Sequence, residues 1–203
     1  MNDRPRSSRY AGSGLSSFSL PPVDAATFIA RLSPMNCTEI TIHADASWHA
    51  SSQTAAWGSL LDGGCEVLPR SGLSPFYLAS STHAELYAVV AALDCAMGTY
   101  PFLERVTVKT DSDNVVMILN GEKRRLDDVA RYLLDRIRVH NRTIHALWIK
   151  AHQDPSASGD AAANHRCDRL ARFQLARGLT IKGVPRDVVD LDVQADTDQQ
   201  VAA

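Results

Sequence analysis

Thr38-Glu-Ile-Thr-Ile-His-Ala44 alternates apolar and polar side chains with a period of two, and Asp45 follows it. Ile40, Ile42 and Ala44 point one way, and Thr41, His43 and Asp45 the other, which is the pattern of a half-buried strand. The pattern returns in Arg105-Val-Thr-Val-Lys-Thr110, with Val106, Val108 and Thr110 on one face and Thr107, Lys109 and Asp111 on the other. Between the two stretches the period changes. From Thr82 to about Met97, Leu86, Val89, Val90, Leu93 and Met97 recur at helical spacing. Strands reached through a helix are expected to run parallel.

Thr54–Leu61 and Cys65–Leu68 fit two short strands with Asp62-Gly63-Gly64 as the turn between them. A further hairpin partner near Phe76–Ala79 is interrupted by Pro69, Gly72 and Pro75. Ser112 can cap a helix running to Asn120, which Gly121 closes. Leu126–Val139 is helical by the spacing of Leu126, Val129, Ala130, Leu133 and Ile137. Thr143–Lys150 is a nearly continuous apolar run, as expected of a strand covered on both faces. Residues 160–177 form a last helix with Gly178 at its end. The expected fold class is therefore α/β: a single five-stranded mixed sheet, its three leading strands antiparallel and its later strands parallel, flanked by helices.

Three segments divide the chain of 203 residues. Residues 1–36 read as a flexible extension rich in Arg, Ser and Gly. Within it, Val23 to Leu32 fits a short helix capped by Asp24 or started at Pro22, with Ala25, Phe28, Ile29 and Leu32 on one face. Residues 37–178 are one folded domain. Residues 179–203 carry two basic against five acidic residues and read as a disordered acidic tail. Hydrophobic residues at 45% and charged residues at 22% exclude a wholly disordered chain, a collagen-like fibre and a small disulfide scaffold. No run of about 18 apolar residues suggests a membrane span, and the first 20 residues lack the apolar core of a secretory signal. Cys37, Cys65, Cys95 and Cys167 form no C-x-x-C pair and read as reduced thiols of a cytoplasmic protein. A monomer is expected. The net charge of −2 does not announce a nucleic-acid binder, so any such binding must come from a local patch.

Four carboxylates stand out. Asp45 and Asp111 sit at the ends of the two alternating strands, on the more polar face. If those strands are parallel neighbours, the two acids lie side by side at the edge where open α/β sheets place ligands. Glu85 lies in the first turn of the long helix, and Asp168 inside the last helix, with Asn164 one turn earlier. Converging acids repel one another unless cations or protons lie between them. Hard oxygen ligands favour Mg²⁺ or Mn²⁺ over zinc. Two such ions about 4 Å apart would suit in-line phosphodiester cleavage. Each acid also has a structural alternative. Thr82-His83-Ala84-Glu85 is a capping box, Asp111 is placed to cap a helix, Asp168 to pair with Arg172, and Asp45-Ala46-Ser47 to form a turn.

The joint pattern resembles the type 1 ribonuclease H family. The segments carrying the resemblance are Ile40 to Ser47, His83-Ala-Glu85-Leu86, Val106 to Ser112, Trp148-Ile-Lys-Ala-His152 and Asn164-His-Arg-Cys-Asp168-Arg-Leu-Ala171, over roughly residues 38–178. The resemblance implies a ribonuclease H-like fold and a Mg²⁺-dependent endonuclease, with Mn²⁺ as the alternative ion. Such an enzyme cuts the RNA strand of an RNA–DNA hybrid to 3′-hydroxyl and 5′-phosphate ends. It implies that Asp45, Glu85, Asp111 and Asp168 bind metal and that His152 assists proton transfer or product release. Asn164 would hold the substrate or orient the site, and Ser47, Thr82 and Ser112 would face the substrate near the acids. RNA selectivity must use the 2′-hydroxyl.

The contact loops depart from the family pattern. Ala46-Ser47-Trp48-His49 lacks the usual glycines, Thr82 and Asp113 stand where amides are common, and the loop from His152 to Asp168 is long. Asp113 adds a negative charge expected to weaken binding. The cluster Lys123-Arg124-Arg125 is too short for the basic protrusion of some relatives but could contact phosphate. Trp48 and Trp57 read as packing residues. His43, His49, His83 and His165 fit no standard zinc spacing. Two other readings stand beside the hybrid nuclease: a catalytically weak nucleic-acid-binding module on the same fold, and a related nuclease acting on DNA or double-stranded RNA.

Overall fold

Alternation in the sequence becomes pairing in the computed structural model, which describes residues 37–183. The expected extension over 1–36, with its short helix, and the tail from residue 184 onward lie outside the described residues. Five strands and four helices form among the described residues: β1 (Glu39–His49), β2 (Thr54–Asp62), β3 (Val67–Leu73), α1 (Ser81–Thr99), β4 (Arg105–Thr110), α2 (Asp113–Leu119), α3 (Asp128–Arg138), β5 (Thr143–Trp148) and α4 (Gly159–Ile181). The sheet order is β3-β2-β1-β4-β5. β1 and β2, and β2 and β3, pair antiparallel; β1 and β4, and β4 and β5, pair parallel. This is the expected mixed sheet.

The core lies between the sheet and α1. Ile40, Ile42, Ala44, Val106 and Val108 face Leu86, Val89, Val90 and Leu93, all buried. Each such aliphatic side chain contributes roughly 2 kcal/mol by leaving water. Small residues (Ala88, Ala91, Ala92 and Ala96) bury the rest of α1, so that Leu133, Leu134 and Ile137 of α3 close over it. Trp57 is buried in this core, and Trp48 packs on a smaller cluster of Ala55, Leu78 and Ala84 while its Nε1 donates to Leu78 O at 2.8 Å. Both tryptophans pack, as the sequence suggests.

Several local expectations change. β1 does not end at Asp45 but runs on to His49, because β2 supplies backbone partners as far as His49↔Thr54. β3 starts and ends later than Cys65–Leu68 and accommodates Pro69, since an edge strand is paired on one side only. Phe76–Ala79 forms no strand; single bonds from Ser74 N to Ala55 O (2.9 Å) and from Leu78 N to Gln53 O (3.1 Å) tie that loop down instead. β5 is not covered on both faces: it is the other edge of the sheet, with Ala146 its one buried residue and Leu147 and Trp148 exposed. Gly178 does not end the last helix, which continues to Ile181. Gly178 packs on β3 instead, where an added Cβ would lie 2.5 Å from Leu73 Cδ2.

Gly58 makes a still tighter approach. It pairs with Asp45 across β1–β2. A Cβ there would sit 2.2 Å from Cys167 O and 2.9 Å from Ala171 N. The missing side chain lets the backbone of α4 press directly onto the sheet beside Asp45.

Candidate active site

The parallel register of β1 and β4 sets Ile42 beside Val108 and His43 beside Lys109. Carried two residues further, it brings Asp45 beside Asp111, on the strand face expected from the alternation. Glu85, from the second turn of α1, completes the cluster. Asp45, Glu85 and Asp111 each offer a carboxylate oxygen within 4.8 Å of the others.

Such crowding is costly when all three are charged. Burial pushes the Asp45 carboxyl up to about 7, with help from the charges of Asp111 and Asp168, against the lowering effect of the Ala46 N–H. Burial also raises Glu85 well above the usual carboxylate range, with Asp45 and Asp111 adding to it. Glu85 Oε2 is buried without a hydrogen-bond partner. An unpartnered buried oxygen within a set of three hard anionic donors is a good fit for a divalent cation.

The structural alternatives for these acids separate cleanly. The helix cap is Ser80, whose side chain accepts from His83 N at 3.2 Å, so Glu85 is not the partner of a Thr82 cap. Asp45 lies within β1, with Oδ1 accepting from Ala46 N at 2.7 Å, and is not in a turn. Ser112 takes the cap position of α2 without a side-chain cap bond. Asp111 instead accepts from Asn164 Nδ2 at 3.0 Å. Asp168 does form the ion pair with Arg172, at 2.8 Å. It is not one of the three carboxylates within 4.8 Å of one another, though it lines the same cleft.

That cleft has a volume of about 500 Å³ and opens to solvent. Ser47, Thr82, Ser112, Asp113, His152 and Arg172 line it around the acids. His152 is exposed, in the loop between β5 and α4, with φ of 49°. A left-handed backbone at a non-glycine residue costs about 1 kcal/mol. Asn164 lies deeper, buried, with its Oδ1 unpartnered. The basic cluster stands apart: Arg124 and Arg125 are exposed beyond the cleft, and Lys123 Nζ donates to Asn114 Oδ1 at 2.8 Å at its rim.

Sequence reasoning gives no site role to Lys150 or Gln153, and weighs His165 only as a zinc ligand; all three line the inner recess with Asn164 and Asp168. It also passes over Asp160, although Asp160, Asn164 and Asp168 recur every fourth residue along one helix. Of His43, His49, His83 and His165, two meet acids, and His49 Nδ1 lies 2.8 Å from Ser52 Oγ. His43 Nε2 lies 3.0 Å from Asp160 Oδ1, and His83 Nε2 lies 2.9 Å from Asp127 Oδ2. All four cysteines are free.

Comparison with known families is decisive beside this geometry: the RNase H family matches residues 37–176. The chain belongs to the RNase H family. Its match spans Asp45, Glu85, Asp111 and Asp168. Solved RNase H structures share the fold. The N-terminal RNase H domain of Rv2228c from Mycobacterium tuberculosis is 20% identical, with 71% of this chain and 99% of that chain covered and a TM-score of 0.58. RNase H1 from the halophilic archaeon Halobacterium salinarum is 22% identical, with 68% and 98% covered and a TM-score of 0.54. LC11-RNase H1 from a compost metagenome, solved in complex with RNA/DNA hybrid, is 18% identical, with 69% and 99% covered and a TM-score of 0.56. No curated protein matches the chain. Membership in the RNase H family supports a nuclease, and no helix among the described residues is long and apolar enough to cross a membrane.

Proposed function

We propose that this chain is a divalent-cation-dependent endonuclease that hydrolyses the RNA strand of RNA–DNA hybrids, leaving 3′-hydroxyl and 5′-phosphate ends. The observation that carries the reading is the gathering of Asp45, Glu85 and Asp111 oxygens within 4.8 Å in an open cleft. A module that only binds nucleic acid gains nothing from clustered negative charge beside phosphate. The RNA/DNA hybrid bound by the structurally similar LC11-RNase H1 points to the substrate class.

Asp45, Glu85 and Asp111 would hold Mg²⁺ or Mn²⁺, with Asp168 joining them once it leaves Arg172. The chemistry supplied by such ions is activation of water and stabilisation of the leaving 3′ oxygen. The chain's own residues do the rest. Asn164 holds the Asp111 carboxylate in place through its amide. Ser47, Thr82 and Ser112 offer hydroxyls along the cleft wall for the sugar and phosphate oxygens of the RNA strand. His152, exposed at the rim, is free to carry a proton to or from the reacting phosphate. Lys123, Arg124 and Arg125 approach the DNA strand as phosphate contacts.

A substrate panel tests this. Labelled RNA–DNA hybrid, double-stranded RNA and double-stranded DNA are incubated with Mg²⁺, with Mn²⁺ and with EDTA, and the product ends are mapped. Cutting of the hybrid alone, abolished by EDTA, is expected. Equal cutting of either homoduplex would replace the substrate assignment, and tight hybrid binding without cutting would favour the binding module.

A further inference from the structure

α4 carries Asp168 and Arg172 of the cleft and Asn164 of the recess behind it, yet its first turn makes side-chain contacts outside both. Asp160 Oδ1 accepts from Lys109 Nζ at 2.7 Å and lies 3.0 Å from His43 Nε2. Lys109 and His43 are directly paired residues of β4 and β1. One carboxylate oxygen therefore bridges the two strands at the point from which they deliver Asp45 and Asp111, two residues further on. The His43 side chain is 9% exposed and that of Lys109 23%, so the contact is sheltered from water on the sheet side.

The spacing ties this contact to the cleft. Asp160 and Asn164 are four residues apart, about 6 Å along the helix and on one side of it. Their partners Lys109 and Asp111 are two residues apart, about 6.6 Å along the strand. Both contacts are made together, the second being the 3.0 Å bond from Asn164 to Asp111. Two adjacent points of attachment fix how α4 is rotated about its axis. Gly58 lets the helix slide close without itself holding any rotation, because it offers no side chain to grip.

We infer that Asp160 is a positioning residue, which fixes the start of α4 on β1 and β4 so that Asn164 stays on Asp111 and the carboxylate cluster keeps its shape. The inference rests on the proposed function for the meaning of that cluster. Lys109 offers a competing explanation for any effect of Asp160: released from it, the ammonium could turn to the acids and displace a cation by charge alone.

The unsubstituted 203-residue chain, Asp160→Ala, Asp160→Asn and the double variant Asp160→Ala/Lys109→Met separate these cases. Mg²⁺ binding is measured by calorimetry without nucleic acid, and amide hydrogen exchange is followed over residues 161–168. Partners that orient metal ligands typically matter by tenfold or more, so Asp160→Ala should weaken Mg²⁺ binding about tenfold. It should also speed exchange over residues 161–168. Asp160→Asn, which keeps an acceptor oxygen, should fall between, and the double variant should match Asp160→Ala. Unchanged exchange and Mg²⁺ binding in Asp160→Ala would overturn the inference, as would recovery of Mg²⁺ binding in the double variant. A wild-type protein that binds no Mg²⁺ would reject the functional reading, and the exchange comparison would then decide the role of Asp160 alone.

Discussion

In the proposed reaction Asp45 carries the most weight: it is buried, with a Glu85 and an Asp111 carboxylate oxygen within 4.8 Å of its own. Replacing it with Asn keeps its shape and removes one anionic donor. Asp45→Asn should lower the cleavage rate by more than about a hundredfold, beyond the range expected of residues that merely orient a ligand. Retained metal-dependent cutting at a wild-type rate would refute its assignment. Asp113, exposed at the cleft wall, should act in the opposite sense. Asp113→Asn removes a charge that repels the phosphate backbone, so KM for hybrid should fall at low salt, and the difference should fade as salt rises. The raised carboxyls also set a pH dependence. Between the ordinary value of 3.8 and about 7, the folded chain holds a proton at Asp45 that the unfolded chain releases. That contribution to stability is complete below the window and is lost as pH rises through it. Glu85 acts in the same direction. Asp127 and Asp160 act oppositely, since hydrogen bonds hold them below the usual range, and their contribution is lost only in acid. In EDTA, Tm should therefore fall between about pH 4 and 7, and Mg²⁺ should raise Tm more at the upper end of that range. A Tm that is flat in EDTA and indifferent to Mg²⁺ at both pH values would contradict this.

The elements deliver these residues through contacts of unequal legibility. Alternation in Ile40–Ala44 and Val106–Thr110 is a local signal, and it places Asp45 and Asp111 on matching strands. Glu85 is legible as a helical residue, but its distance from the Ser80 cap depends on where the loop before α1 turns. Two features depend on long-range approach and leave little local trace. β5 reads as a buried strand because Ile144, Ala146, Leu147, Trp148 and Ile149 are apolar, yet among the described residues no strand pairs with its outer edge. Gly58 carries no local signal and Gly178 reads as a helix end, but each is a point where α4 meets the sheet. Gly58→Ala would drive a Cβ into the backbone of α4 at Cys167 and Ala171, where no flexible side chain can yield. Such overpacking should cost about 2 kcal/mol in denaturant melts and should weaken Mg²⁺ binding as well. Gly178→Ala meets only the Leu73 side chain and should cost less. Equal destabilisation by both would show that the close approach at Gly58 has no special weight.

At the scale of the whole molecule, a net charge of −2 must be reconciled with a polyanionic substrate. Arg124 and Arg125 are exposed cations beyond the cleft rather than in it. Removing both should raise KM for hybrid, leave the rate at saturation unchanged, and flatten the salt dependence by roughly one unit of slope per lost phosphate contact. A loss of saturated rate instead would place them in the chemistry. On the proposed function, three carboxylates, from β1, α1 and the end of β4, share a cation that none would hold alone. Crystals of the full chain grown with Mn²⁺ test it most directly, through the anomalous signal of the ion. A peak bound jointly by Asp45, Glu85 and Asp111 is expected; Mn²⁺ bound elsewhere in the crystal, with no peak among these three side chains, would contradict it.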